Sequence, residues 1–120
     1  MIYIGTDIIK ISRINKIIEN NGQRFLSRIF TNSEQSICNA KASPSISYGG
    51  KYAAKEAVKK ALLSSNLLKN ISLNNIEIQN MIDGVPKVYL NDSKRCSENI
   101  QISISHENEY AIATAILEIK

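Results

Sequence analysis

A chain of 120 residues that is 43% hydrophobic and 22% charged reads as one ordinary globular domain covering 1–120. A formal charge of +4 and a pI near 9.1 favour an acidic or phosphate-bearing partner, while two Phe and no Trp leave little for stacking single-stranded nucleic acid. Two cysteines, Cys38 and Cys96, make no disulfide framework, no export leader opens the chain, and no window nears the roughly 20 apolar residues of a membrane span, so a reduced, cytoplasmic protein is expected.

Residues 2–9 are rich in β-branched side chains and predict a buried strand around Asp7. Ser12 predicts a cap for a helix starting near Arg13, with Ile14, Ile17 and Ile18 at helical spacing, and Asn20-Asn21-Gly22 stops it. A short helix over 23–29 carries Phe25, Leu26 and Ile29 on one side and Arg24 and Arg28 on another. Thr31 or Ser33 caps a third helix, with Glu34 in its first turn, where a carboxylate suits the helix dipole. Residues 42–47 read as a loop, and the Ala- and Lys-rich stretch from about Ile46 to Leu63 as a long helix. Two alternating runs, Ile71–Gln79 and Pro86–Leu90, flank Asp83-Gly84, a hairpin signal. A further helix is expected over 92–98, then strands over Ile100–Ser105 and Tyr110–Ile119. Helices gathered early and antiparallel strands mostly late predict an α+β domain without internal repeats.

Four places carry chemistry. Asp7 lies in an apolar strand, where a carboxylate is costly unless paired or bound to a cation; an Asp capping a turn or pairing with a Lys is an equal reading. Glu56 and Lys60, four apart on the long helix, share a face with Tyr52 one turn earlier. That spacing usually means a solvated salt bridge, but Ala53, Ala54 and Ala57 imply that this turn packs closely. Asp83-Gly84-Val85-Pro86 is by itself a turn, and His106, the chain's single histidine, follows a strand, where binding residues tend to sit. Taken together, two carboxylates on separate elements could share one Mg²⁺, which accepts few protein oxygens and keeps waters and substrate phosphates.

Five segments in this order resemble holo-acyl-carrier-protein synthase: Gly5-Thr6-Asp7-Ile8 with Arg13-Ile14, Phe30-Thr31-Asn32-Ser33-Glu34, Ala53-Ala54-Lys55-Glu56-Ala57, Gly84-Val85-Pro86, and Ser103-Ile104-Ser105-His106. They run almost from end to end. The resemblance implies a 4′-phosphopantetheinyl transferase fold, an antiparallel sheet packed on a long helix, and a homotrimer with active sites between subunits. It implies transfer of 4′-phosphopantetheine from coenzyme A to a serine of apo-acyl carrier protein, leaving 3′,5′-ADP, in fatty acid biosynthesis, without nucleic acid or membrane partners. By position, Asp7 and Glu56 match the family's Mg²⁺ ligands, and Lys60 the lysine beside the coenzyme A phosphates. Glu56, or a water it orients, is the candidate for taking the serine proton. Gly84, Pro86, Ser105 and His106 fall in segments that contact the coenzyme, and Arg13, Arg24 and Arg28 match the face that meets the acidic carrier.

The chain departs from that family at Lys51-Tyr52, where an Arg and a large aromatic are expected, and at Val85, where a basic residue is usual. The loop before the long helix keeps only Lys41. Two other functions fit the charge alone. A non-catalytic module could bind an acidic partner through the three arginines, or a basic domain could bind RNA with a steep salt dependence. Neither accounts for Asp7 together with Glu56.

Overall fold

A computed structural model describes residues 1–90 and 99–120, so the helix expected over 92–98 lies outside the described residues. In chain order come β1 (Ile2–Lys10), α1 (Ile11–Ile29), α2 (Asn32–Asn39), α3 (Pro44–Ser64), a 3₁₀ turn (Leu73–Asn75), β2 (Ile76–Asn80), β3 (Pro86–Leu90), β4 (Ile100–His106) and β5 (Tyr110–Glu118). The β1, β5 and β4 strands form an antiparallel sheet in that spatial order, and β2 and β3 form a separate hairpin. The α+β class and the antiparallel sheet on a long helix are as expected.

Small side chains decide how α3 meets the sheet. Ala53, Ala54, Ala57 and Ala61 on the helix and Ala113 and Ala115 on β5 are all buried in the main core, with Val58, Leu62 and Leu117 filling around them. Alanines on both surfaces bring the helix axis close to the strands, and Gly5 on β1 brings it closer still. A Cβ there would stand 1.9 Å from the carbonyl oxygen of Ala57, so only glycine allows this crossing.

The strand over 2–9 is present but not buried on both faces, a correction to the sequence reading. Only Tyr3, Gly5, Asp7 and Ile9 turn toward α3, while Ile2, Ile4 and Ile8 are each 61% exposed. Opposite Ile4 and Ile8 in register stand Ile116 and Ile112, also exposed, so an apolar strip runs across the outer face of the sheet. A continuous apolar run in a sequence cannot distinguish a strand covered on both faces from one covered on one.

Two helices begin differently from their sequence signals. Lys10, not Ser12, occupies the cap position of α1, without a side-chain cap bond. Asn20-Asn21-Gly22 interrupts the helix as expected, with non-helical φ −132° and ψ 25° at Asn21, so that α1 is two helical halves joined across a kink. Both halves of the helix continue because both have an apolar anchor: Ile14 from the first and Leu26 from the second join Phe30, Cys38 and Tyr48 in one buried cluster. The cap at Thr31 is as expected. Its hydroxyl accepts from Glu34 N at 3.2 Å, and Glu34 returns the favour to Thr31 N at 2.9 Å. Pro44 opens α3, two residues before the expected start, because the first helical position needs no N–H.

In the hairpin, Leu73 and Ile76 are both buried at a spacing of three, which a 3₁₀ turn satisfies and an alternating strand does not. The strand expected from Ile71 therefore starts at Ile76. Asp83-Gly84 forms the turn as predicted. Gly84 has φ +85° and donates its N–H to Met81 O at 2.8 Å, and Asp83 Oδ1 accepts from Val85 N at 3.0 Å. Among the described residues no helix is long and apolar enough to cross a membrane.

Candidate functional site

The close crossing of β1 over α3 sets two acids side by side. Asp7 stands two residues beyond Gly5 and so faces the same helix; Glu56 is on that helix, and both line one cavity of about 220 Å³. Lys60, one turn beyond Glu56, donates to Asp7 Oδ1 at 3.1 Å and to Thr6 O at 2.9 Å. Its side chain is 52% exposed and that of Asp7 17%, so the pair sits at the cavity's rim with the ammonium turned to solvent. The salt bridge expected between Glu56 and Lys60 thus gives way to one between Lys60 and Asp7.

Tyr52 completes this corner. Burial pushes its phenol above the ordinary tyrosine range, and the negative charges of Glu56 and Asp7, with a hydrogen bond to the Glu56 carboxylate, push it further up. The Tyr52 ring stacks on Phe25, 6.4 Å away between centroids, which ties this turn of α3 to the second half of α1. Arg13 lines the same cavity from the start of α1 and is exposed; Arg24 and Arg28 are exposed further along that helix.

As a metal site the corner is sparse. No cluster of three or more His, Cys, Asp or Glu occurs among the described residues, which argues against a zinc centre built of four protein ligands. Two carboxylates on neighbouring elements, open on one side, fit Mg²⁺, whose remaining positions go to water and substrate oxygens. Asp7 Oδ1 is engaged by Lys60.

A second cavity, of about 660 Å³, lies elsewhere on the chain and shares no lining residue with the first. Its walls come from four elements: Ile37 of α2, Gly50 and Lys51 of α3, Asn80 and Gly84 of the hairpin, and Ile104 and His106 of β4, with Lys41 at the loop before α3. Gly84 and His106, far apart in sequence, are thus brought together. Pro86 is half-buried at the start of β3, outside this lining. Ser105 alternates with Ile104 and His106 and so lies on the exposed outer face of the sheet.

One group of charged residues escaped the sequence reading. Glu34, fully buried, has a salt bridge with Lys55, also fully buried, and its Oε2 accepts from Ile78 N at 2.8 Å. Lys55 in turn donates to Ile29 O at 2.7 Å and lies over the Phe30 ring at 5.0 Å. Desolvation lowers the proton affinity of Lys55, and Glu34 raises it again. Lys51, only 6% exposed, donates to Ile78 O at 3.1 Å. The capping signal marked Glu34 as a first-turn acid, but nothing in a linear chain links it to a lysine 21 residues on.

Comparison with known proteins bears on this arrangement. A family model described as the 4′-phosphopantetheinyl transferase superfamily matches residues 3–115. A holo-[acyl-carrier-protein] synthase of Chlamydia pneumoniae is 44% identical over 119 residues, covering 97% of this chain and 96% of that protein. Among solved structures, the Bacillus anthracis holo-(acyl-carrier-protein) synthase in complex with CoA (3′,5′-ADP) matches with a TM-score of 0.82 and 32% identity, over 98% of this chain and 96% of the other. The Helicobacter pylori holo-[acyl-carrier-protein] synthase in complex with coenzyme A matches at 0.81 and 33%, over 96% and 99%.

Proposed function

We propose an activity for this chain, which belongs to the 4′-phosphopantetheinyl transferase superfamily: it transfers 4′-phosphopantetheine from coenzyme A to a serine of an apo-acyl carrier protein. The products are holo-acyl carrier protein and 3′,5′-ADP, and the reaction serves fatty acid biosynthesis. The observation that carries the reading is that Asp7 from β1 and Glu56 from α3 line one cavity while Lys60, one turn further along α3, donates to Asp7.

The chemistry follows from the charges there. Mg²⁺, held by Asp7 and Glu56, would neutralise the pyrophosphate of the coenzyme. The carrier's serine oxygen attacks the β-phosphorus, its proton passes to the Glu56 carboxylate, and the bond from phosphorus to the 3′,5′-ADP oxygen breaks. Lys60 holds positive charge beside the phosphates as negative charge grows on the leaving group. Tyr52, one turn before Glu56 and stacked on Phe25, walls the same cavity. Arg13, Arg24 and Arg28, exposed along α1, give the acidic carrier a basic face to meet.

Gly84 and His106 contact the coenzyme in this reading, and Lys41 and Lys51 supply positive charge at the same cavity. Because this cavity is separate from the Asp7 and Glu56 corner, the complete site forms between copies of the chain, three of which assemble. What supports a homotrimer is the apolar strip of Ile4, Ile8, Ile112 and Ile116 on the outer sheet face, whose burial against another copy would be favourable. The chain then works as one domain, 1–120, in the cytoplasm.

The test is to incubate the protein with apo-carrier, coenzyme A and Mg²⁺ and to look by mass spectrometry for the added phosphopantetheine. Glu56→Gln, with the fold intact by circular dichroism, abolishes the mass gain. No added mass with wild-type enzyme and a folded carrier overturns the activity, and near-normal transfer by Glu56→Gln overturns the role of Glu56.

A further inference from the structure

The shape of the second cavity depends on where the hairpin sits. Its hairpin wall, Asn80 and Gly84, belongs to a two-stranded sheet that, among the described residues, is separate from the β1-β5-β4 sheet. Ile76, Ile78, Val88 and Leu90 of the hairpin join the main core, with β2 against α3 and β3 against β4, and such apolar packing is non-directional. Sliding the hairpin along α3 would keep most of that burial while moving Asn80 and Gly84 relative to Gly50 and His106.

Polar contacts remove this freedom. Ile78 lies two residues before Asn80, and both of its backbone groups are taken by side chains from outside the hairpin. Its N–H donates to Glu34 Oε2 at 2.8 Å, and its C=O accepts from Lys51 at 3.1 Å. Glu34 is itself fixed at both ends, by Thr31 N and by Lys55. Lys51 and Lys55 are four residues apart and so project from the same face of α3. One strand residue is thereby locked to α2 and α3 together.

We propose that the buried Glu34–Lys55 pair is a positioning device, setting the hairpin on α3 and with it the shape of the cavity that takes the coenzyme. The inference rests on the activity proposed above. Net stability is a poor reason for such a pair, since desolvating two charges offsets most of their attraction. Position is a better one, because the same hydrogen bonds can be made at only one setting of the hairpin. Glu34 and Lys55 touch no reacting atom in this scheme.

The experiment replaces both charges at similar volume, in the double variant Glu34→Gln with Lys55→Met, so that no lone charge is left buried. Coenzyme A binding is read directly by calorimetry, and KM for the carrier is measured beside it. The expected result is a folded protein whose Kd for coenzyme A rises about tenfold while KM for the carrier is unchanged. A purely structural role would lower the melting temperature and leave both constants as they were, which would overturn the proposal. A second measurement needs no variant: in the wild-type protein, coenzyme A should slow hydrogen exchange at the Ile78 amide, and unaltered exchange would also overturn it. Wild-type protein that binds no coenzyme A would sink the activity itself, and this inference with it.

Discussion

Gly5→Ala is the sharpest probe of how the site is built. The added Cβ would meet Ala57 O at 1.9 Å, Ala61 N at 2.8 Å and Ala57 C at 2.9 Å, all backbone atoms of α3 that cannot rotate away. To reach even 3.0 Å from that oxygen, β1 and α3 must separate locally by about 1.1 Å. Overpacking of this kind costs about 1–3 kcal/mol, several degrees of melting temperature in a domain of this size. The functional loss is expected to be larger. Asp7 rides on the same strand face and would draw back from Glu56 and Lys60, and a displacement near 1 Å can cost on the order of 100-fold in rate. The assay is holo-carrier formation at a temperature where circular dichroism shows the variant folded. Gly22→Ala is the control, since a Cβ there meets nothing within 4 Å. Full activity in Gly5→Ala, with an unchanged melting temperature, would refute the claim that this contact places Asp7.

Two further outcomes follow from other parts of the molecule. Ile4→Asp combined with Ile116→Asp puts like charges at paired positions on the outer sheet face, so sedimentation should show monomers with retained secondary structure; an unchanged assembly would exclude this face as the interface. The Tyr48 phenol, raised by burial to about 12 and donating to Asn39 Oδ1 at 2.8 Å, stabilises the fold fully below the ordinary tyrosine range, near pH 10, and loses that effect as pH rises through about 12. The advantage of wild type over Tyr48→Phe in melting temperature should therefore shrink across that interval, and a constant difference would refute the assignment.

What the sequence disclosed and what it hid divide along physical lines. Local signals were readable: the Thr31 capping box, the Asp83-Gly84 turn and the alternation of β5 each depend on neighbours within a few residues. Asp7 and Glu56 were readable as two acids that could share a Mg²⁺, and the resemblance matched them by position, but how they meet was hidden because it depends on a strand crossing a helix at a glycine. The covering of β1 on one face was hidden because an isoleucine run looks the same in either case. The Glu34–Lys55 pair was hidden too, since helix spacing draws attention to Glu56 and Lys60 while tertiary packing joins Lys60 to Asp7 and Lys55 to Glu34. The start of α3 at Pro44 was legible in principle, from the proline's preference for the first turn, and the loop residues around it masked that.

The division of the chain into two cavities that share no residue has a genetic consequence under the proposed assembly. Damage at one corner then disables a neighbour's coenzyme as readily as its own, so a defective copy is felt by healthy ones. Conversely, two chains spoiled at different corners restore an intact site when they meet. In that proposed assembly, fitness would belong to the ring of copies, and no single chain would carry a whole active site to be inherited or lost by itself.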